Sequence, residues 1–143
     1  RFRGPLHKIY TVLGVWYHAT KHALEGWSDS LRLGLEPFGI RVVVIEPGLI
    51  ETGFGDAASQ GLLGRSGKGA YAEVARRVAH SVETSYGHGR GADPEVIADV
   101  VGRAISLPRP RTRYAAGKYA KLMIGVRKWL GDRMFDRLIK SQM

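Results

Sequence analysis

Tyr17 and Lys21 stand four residues apart, a spacing that on a helix puts both side chains on one face with their polar ends near a common point. A phenol ordinarily titrates at about 10. A neighbouring ammonium favours the phenolate and makes the tyrosine a usable proton donor and acceptor nearer neutral pH. The lysine can also donate hydrogen bonds to a ribose. On spacing alone, an ordinary exposed helix pair is the better reading. Two other patterns suggest chemistry and fail on their details. His18 and His22 share the same spacing, as zinc ligands can, but the E-x-x-H core of a zincin helix and a third ligand are missing, so no metal is expected. In GLLGRSGKGA, residues 61–70, Gly61 to Gly67 is one residue too long for a phosphate loop, and Gly69 takes the place of its Ser or Thr. That segment reads as a loop.

The elements that must position Tyr17 and Lys21 follow from periodicity. Residues 15–35 contain no proline, and Ala19, Ala23, Trp27, Leu31 and Leu35 recur every four positions, which predicts one long helix. Trp16 and Trp27 on it read as core or subunit-interface aromatics. Pro37 and Gly39 break it. IRVVVIE, residues 40–46, is a β-branched run ended by Pro47-Gly48, as expected of a strand buried on both faces. Residues 53–69 are rich in glycine and small side chains and read as a mobile loop with a short helical turn. A second helix is expected over 71–86. A third starts with Asp93 as cap and Pro94 in its first turn and runs to Leu107, stopped by Pro108 and Pro110. A short strand follows at Arg113–Ala116. Two strands cannot make a doubly wound sheet. The pattern therefore implies the carboxyl half of a larger α/β domain, completed by upstream sequence or by another chain, and a first residue of Arg rather than Met fits that expectation.

Composition bounds the rest. With 143 residues, 44% hydrophobic and 24% charged, the chain is at most one ordinary domain and not a disordered one. The absence of cysteine removes a disulfide framework and a thiol nucleophile, and a cytoplasmic location is expected. No apolar run approaches a membrane span. The net charge of +9 is local: residues 1–102 hold 11 basic and 11 acidic side chains, whereas 103–143 hold 11 basic side chains against Asp132 and Asp136 alone. In the tail, residues 118–143, Leu122, Val126, Leu130, Met134 and Leu138 recur every four residues, widened by Met123, Trp129, Phe135 and Ile139. This predicts an amphipathic basic helix that packs on the protein or on a second subunit, with a membrane surface as the second reading. No nucleic-acid reader is visible, and none is expected as partner.

The stretch from Gly14 to Phe54, GVWYHATKHALEGWSDSLRLGLEPFGIRVVVIEPGLIETGF, resembles the short-chain dehydrogenase/reductase family in its single-domain form. Tyr-x3-Lys opens a helix, a buried strand ends in Pro-Gly, and an apolar residue and a threonine follow; here these are Tyr17, Lys21, Pro47, Gly48, Ile50 and Thr52. The resemblance implies the carboxyl-terminal part of a doubly wound, Rossmann-type parallel sheet, over residues 1–117, incomplete without its upstream strands. It also implies NAD or NADP as cofactor and an alcohol or carbonyl compound as substrate, lipophilic because the tail WLGDRMFDRL is similar to those of members acting on steroids or retinoids. By the same resemblance Tyr17 is the general acid and base, Lys21 lowers its pKa and holds the nicotinamide ribose, and Tyr17, Lys21, Pro47, Gly48, Ile50 and Thr52 line the cofactor. Residues 53–88 become the substrate lid, and the Tyr17 helix an interface of a homo-oligomer.

The departures are equally definite. Gly4, preceded by Arg3, stands 13 residues before Tyr17, where the family has its catalytic serine. The Gly-rich dinucleotide fingerprint and the residue that selects NAD or NADP are absent. RFRGPL at residues 1–6 fits poorly and the match begins at Lys8. The isolated chain is therefore expected to bind dinucleotide weakly and to be inactive alone, and a non-catalytic remnant or interaction module with a basic tail is the alternative.

Overall fold

The computed structural model describes residues 10–87 and 89–141; Arg3, Gly4 and the junction at Lys8 lie outside them. Helix α1 spans Val15–Leu35, as its proline-free run predicts. A single 3-10 turn over Glu36–Phe38 stops it, and Gly39 turns the chain at a φ of 72°, a left-handed conformation that a Cβ would oppose. Strand β1 is Val44–Pro47, shorter than the seven-residue run IRVVVIE and not buried on both faces. Only Glu46 is buried, and Ile40 is 53% exposed. The physical reason is the sheet: among the described residues it has two strands, so β1 has a neighbour on one edge alone.

That neighbour is β2, Arg113–Ala116, paired in parallel with β1 in the register Val44↔Arg113 to Pro47↔Ala116. Three helices lie between the strands in sequence. Helix α2 is Phe54–Ser66, where small residues suggested a mobile loop. It packs on α3, Ala72–Tyr86, and small residues make the packing: Ser59 on α2 is 1% exposed, and Ala75 and Ala79 on α3 are 0% and 2%. A Cβ on Gly55 would stand 2.5 Å from the Cβ of Tyr86. Tertiary contact thus overrides a composition poor in helix formers. The phosphate-loop lookalike is the end of α2 and the turn after it. Helix α4, Glu95–Ser106, starts as its sequence predicts, with an Asp93 carboxylate oxygen accepting the Glu95 N–H at 2.8 Å.

Helix α5, Ala120–Ser141, bends at Gly131, whose φ of 61° and ψ of 173° are not helical. The expected stripe is not buried as one row on either side of the bend. Leu122, Met134 and Leu138 are exposed, while Phe135 is buried against Tyr10, ring centroids 5.1 Å apart, and Asp136 accepts the Tyr10 hydroxyl at 2.7 Å. No described helix is long and apolar enough to cross a membrane.

After β1 the chain is sewn down at every step. Gly48 N–H donates to the Ala116 carbonyl at 2.7 Å, Leu49 N–H to Lys118 at 2.9 Å, and Ala92 and Glu51 N–H exchange bonds with Leu49 and Ala92. At Gly48 a Cβ would run into the Lys118 carbonyl oxygen and stand 2.7 Å from Ala120 N. Gly48→Ala is therefore expected to destabilise the fold by about 1–3 kcal/mol. Gly26→Ala, mid-helix in α1 with nothing within 4 Å, is expected to stabilise it by about 0.5–1 kcal/mol. Thermal denaturation of the two variants checks both signs.

Candidate functional site

Tyr17 sits in the first turn of α1, and the Lys21 ammonium stands over its ring, 5.4 Å from the centroid. The two residues are thus brought together as their spacing predicts. The contact, however, is to the face of the ring rather than to the hydroxyl. Burial pushes the Tyr17 phenol above its ordinary value of 10.0, opposite to the lowering expected of an ammonium at the oxygen. Two aromatic rings of α2 and α3 lie on that side of α1. The Phe54 ring lies 5.9 Å from the Tyr17 ring, tilted by 42°, and Tyr86 packs on the far end of α3 against Phe54 at 5.3 Å. The Tyr86 phenol is also raised, by burial first and by the nearness of Tyr17 second.

Phe54 connects the expected residues that neither spacing nor strand could connect. Its N–H donates to Thr52 Oγ1 at 3.3 Å, so the Thr52 hydroxyl opens α2 at the residue whose ring touches Tyr17. Pro47, Gly48 and Ile50 form a second group: they follow the β1 end, with Ile50 bridged to Ala92 and its Cδ1 lying where a Cβ on Gly117 would be, 2.5 Å away. Gly117, at a φ of 86°, is thereby required on two counts. An open depression lined by Ala116, Gly117, Tyr119 and Leu122 lies beside this second group and includes neither Tyr17 nor Lys21.

What holds α1 over the strands is a cluster that sequence reading missed. Arg113 on β2 donates from Nη1 to Glu25 and to Glu46, the latter at 3.2 Å, and from Nη2 to Asp29 at 2.9 Å. Glu25 and Asp29 follow Tyr17 and Lys21 in steps of four, so all four share one helical row. Glu46 is 7% exposed. Burial raises its carboxyl pKa, and the opposing pull of Arg113 does not cancel that rise. The signals were present: a carboxylate closes an otherwise apolar strand run, and a buried carboxylate needs a partner. In consequence the inward face of α1 is largely polar, Glu25, Ser28, Asp29 and Arg32 with Leu31 and Leu35 at its carboxyl end, while Ala19, Ala23 and Trp27 of the expected apolar row are exposed. Trp16, 83% exposed, is likewise outside the core.

The histidine pair does not converge on a point. His18 Nε2 accepts the Thr11 N–H at 3.0 Å, and His22 Nδ1 donates to the His18 carbonyl at 2.6 Å. Among the described residues no three His, Asp or Glu side chains form a group that could hold a metal ion.

Comparison with known proteins bears on the same residues. The family model described as short chain dehydrogenase matches residues 8–62, which contain Tyr17, Lys21, Pro47, Gly48, Ile50, Thr52 and Phe54. The chain is 29% identical to retinol dehydrogenase 5 of Mus musculus, over 96% of this chain and 48% of the relative. It is 35% identical to dehydrogenase/reductase SDR family member 9 of Bos taurus, over 76% of this chain and 36% of the relative. It is also 27% identical to 3-ketodihydrosphingosine reductase of Bacteroides thetaiotaomicron, over 96% of this chain and 53% of the relative. The chain thus spans about half the length of the curated relatives it matches.

The His18 contact has a pH signature. Burial, and then the charge of His22, lower its pKa below 6.5, and protonation removes the lone pair that accepts the Thr11 N–H. The unfolded chain takes up this proton first. Stability is therefore full above 6.5 and declines as pH falls below it toward the folded value. Melting temperature followed from neutral pH down to about 5 should fall in the native protein and fall less in His18→Gln. Equal slopes would contradict the assignment.

Proposed function

As the chain belongs to the short-chain dehydrogenase/reductase family, we propose that it supplies the proton-transfer half of an NAD(P)-dependent interconversion of an alcohol and a carbonyl compound, with Tyr17 as general acid and base. One observation carries the reading. Tyr17 and Lys21 share a helical turn, and among the described residues the Lys21 ammonium makes no ion pair and the Tyr17 hydroxyl no hydrogen bond. Both polar ends are therefore available to a ligand, on a helix that is otherwise anchored. This donor set fits a nicotinamide ribose and a substrate oxygen.

The nicotinamide, when bound, accepts or gives the hydride. Lys21 holds ribose hydroxyls by donating hydrogen bonds, and from there its charge moves off the ring face toward the phenol oxygen, which lowers the Tyr17 pKa from its buried value. In carbonyl reduction the Tyr17 O–H donates its proton to the substrate oxygen; in alcohol oxidation the same oxygen takes it back. Pro47, Gly48, Ile50 and Thr52 would line the nicotinamide side, and the Thr52 hydroxyl, which accepts the Phe54 N–H, would have its proton free to donate to the carboxamide. The α2–α3 hairpin, residues 54–86, covers the substrate. Phe54 and Tyr86 beside Tyr17 give that cover an apolar, aromatic wall. With relatives named for retinol and for 3-ketodihydrosphingosine, this supports a lipophilic substrate. The exposed Trp16 and Trp27 on α1 support a second copy of the chain as partner. Exposure of Trp129 at 85%, with Met134 at 56% in a basic helix, favours a second role for α5 at an anionic membrane surface.

Joined to the amino-terminal half of a relative, the chain should turn over long-chain or retinoid alcohols with one of the two dinucleotides. Tyr17→Phe should lower kcat by about 10²–10⁴-fold with the fold intact. A Tyr17→Phe chimera that keeps the parent rate would refute the proposal.

A further inference from the structure

The row Tyr17, Lys21, Glu25, Asp29 divides into a reactive half and an anchored half. The anchored half ends on one guanidinium, and that guanidinium also holds Glu46, which directly precedes Pro47-Gly48. Arg113 lies opposite Val44. Glu46, two residues on from Val44, projects from the same face of the sheet, so both side chains meet α1 from below. We infer that Arg113 is a positioning residue: it sets how far along and how high over the Pro47–Gly48 turn the Tyr17–Lys21 pair stands. This inference rests on the proposed role of Tyr17.

Apolar packing does not do this work. Within α1 the one buried residue is Ser28; Leu31 and Leu35 are half-buried, and the large apolar side chains Trp16, Leu24, Trp27 and Leu33 are all at least half exposed. With so little apolar interdigitation to fix it, confined to its carboxyl end, the helix can slide or tilt unless its polar face is pinned. Three carboxylates from two elements converging on a third element pin it. A guanidinium fork is suited to this role, because its donors lie in one plane at fixed angles. Lysine, a point charge, can satisfy fewer of the three at once. The carboxylates outnumber Arg113, and the excess is met in part by Arg32, 3.6 Å from Asp29. Losing Arg113 therefore leaves Glu25, Asp29 and Glu46 facing one another across the interface, and their repulsion drives α1 off the strands. Tyr17 then leaves the Phe54 contact that buries it.

The chain has no cysteine, so paired spin labels can be placed without background at Ala23→Cys on α1 and Arg111→Cys before β2, both exposed. The interlabel distance is read together with the titration of Tyr17, followed by ring-carbon NMR of labelled tyrosine and assigned with Tyr17→Phe. In Arg113→Met the helix content should persist, the distance distribution should widen or shift, and the Tyr17 midpoint should fall toward 10.0, its ordinary value. Arg113→Lys should recover part of both. A cooperatively folded Arg113→Met with unchanged distance and unchanged Tyr17 midpoint would overturn the inference. If Arg113→Met does not fold, Asp29→Asn and Glu25→Gln, each deleting one arm, are read by the same two signals and must move them in the same direction. Neither signal depends on turnover. A chimera that works without the Tyr17 hydroxyl would therefore sink the proposed function and leave this result standing.

Discussion

One guanidinium ties together α1, β1 and β2. Arg113 reaches Glu25 and Asp29 on α1 and Glu46 on β1 from its own place on β2. Its partners are unequal: Glu46 is buried, and that burial raises its carboxyl pKa, whereas Asp29 is half exposed and shared with Arg32. A buried ion cluster of this kind contributes little net stability compared with an apolar core of the same shape, but removing one member is costly because the others stay behind unpaired. Such a cluster defines a position more firmly than it adds to stability. The remainder of the site inherits that position, since Tyr17 and Lys21 continue the helical row that Glu25 and Asp29 anchor.

The second constraint is close backbone approach. The segment after β1 passes so near the exit of β2 that Gly48 and Gly117 have no room for a Cβ, and the bonds from Gly48, Leu49 and Glu51 leave it no freedom. The Pro47–Thr52 strap is therefore rigid. The α2–α3 hairpin has its own core of Ser59, Ala75, Val78 and Ala79 and meets α1 through the Phe54 ring. A stiff strap beside a separately packed hairpin is the division of labour expected where one part must hold a ligand and another must open to admit it.

Much of this was legible from the chain. The limits of α1, the cap of α4 at Asp93 and the β2 strand follow from proline positions, capping chemistry and short β-branched or aromatic runs, all of which act locally. Tyr17 and Lys21 meet because a helical turn makes them meet. What was not legible depends on partners distant in sequence. The small-residue stretch of α2 is helical only because α3 accepts it. The α5 stripe is not buried as one row: Leu122 and Trp129 are exposed before the bend at Gly131, as Met134 and Leu138 are after it. The inward face of α1 is polar because of an arginine more than 80 residues away. The strand expected from IRVVVIE is short because, among the described residues, it has a neighbour on one edge alone.

On the proposed function, the chain holds the nicotinamide end of the cofactor between the Lys21 row and the Ile50–Thr52 strap. Reduced nicotinamide mononucleotide carries that end without the adenosine half of the dinucleotide. Its titration into methyl-labelled protein, followed by NMR, is the most direct test. The account expects saturable shifts of the Ile50 and Thr52 methyl signals that Lys21→Met abolishes. Shifts confined to α5, or shifts that survive Lys21→Met unchanged, would contradict it.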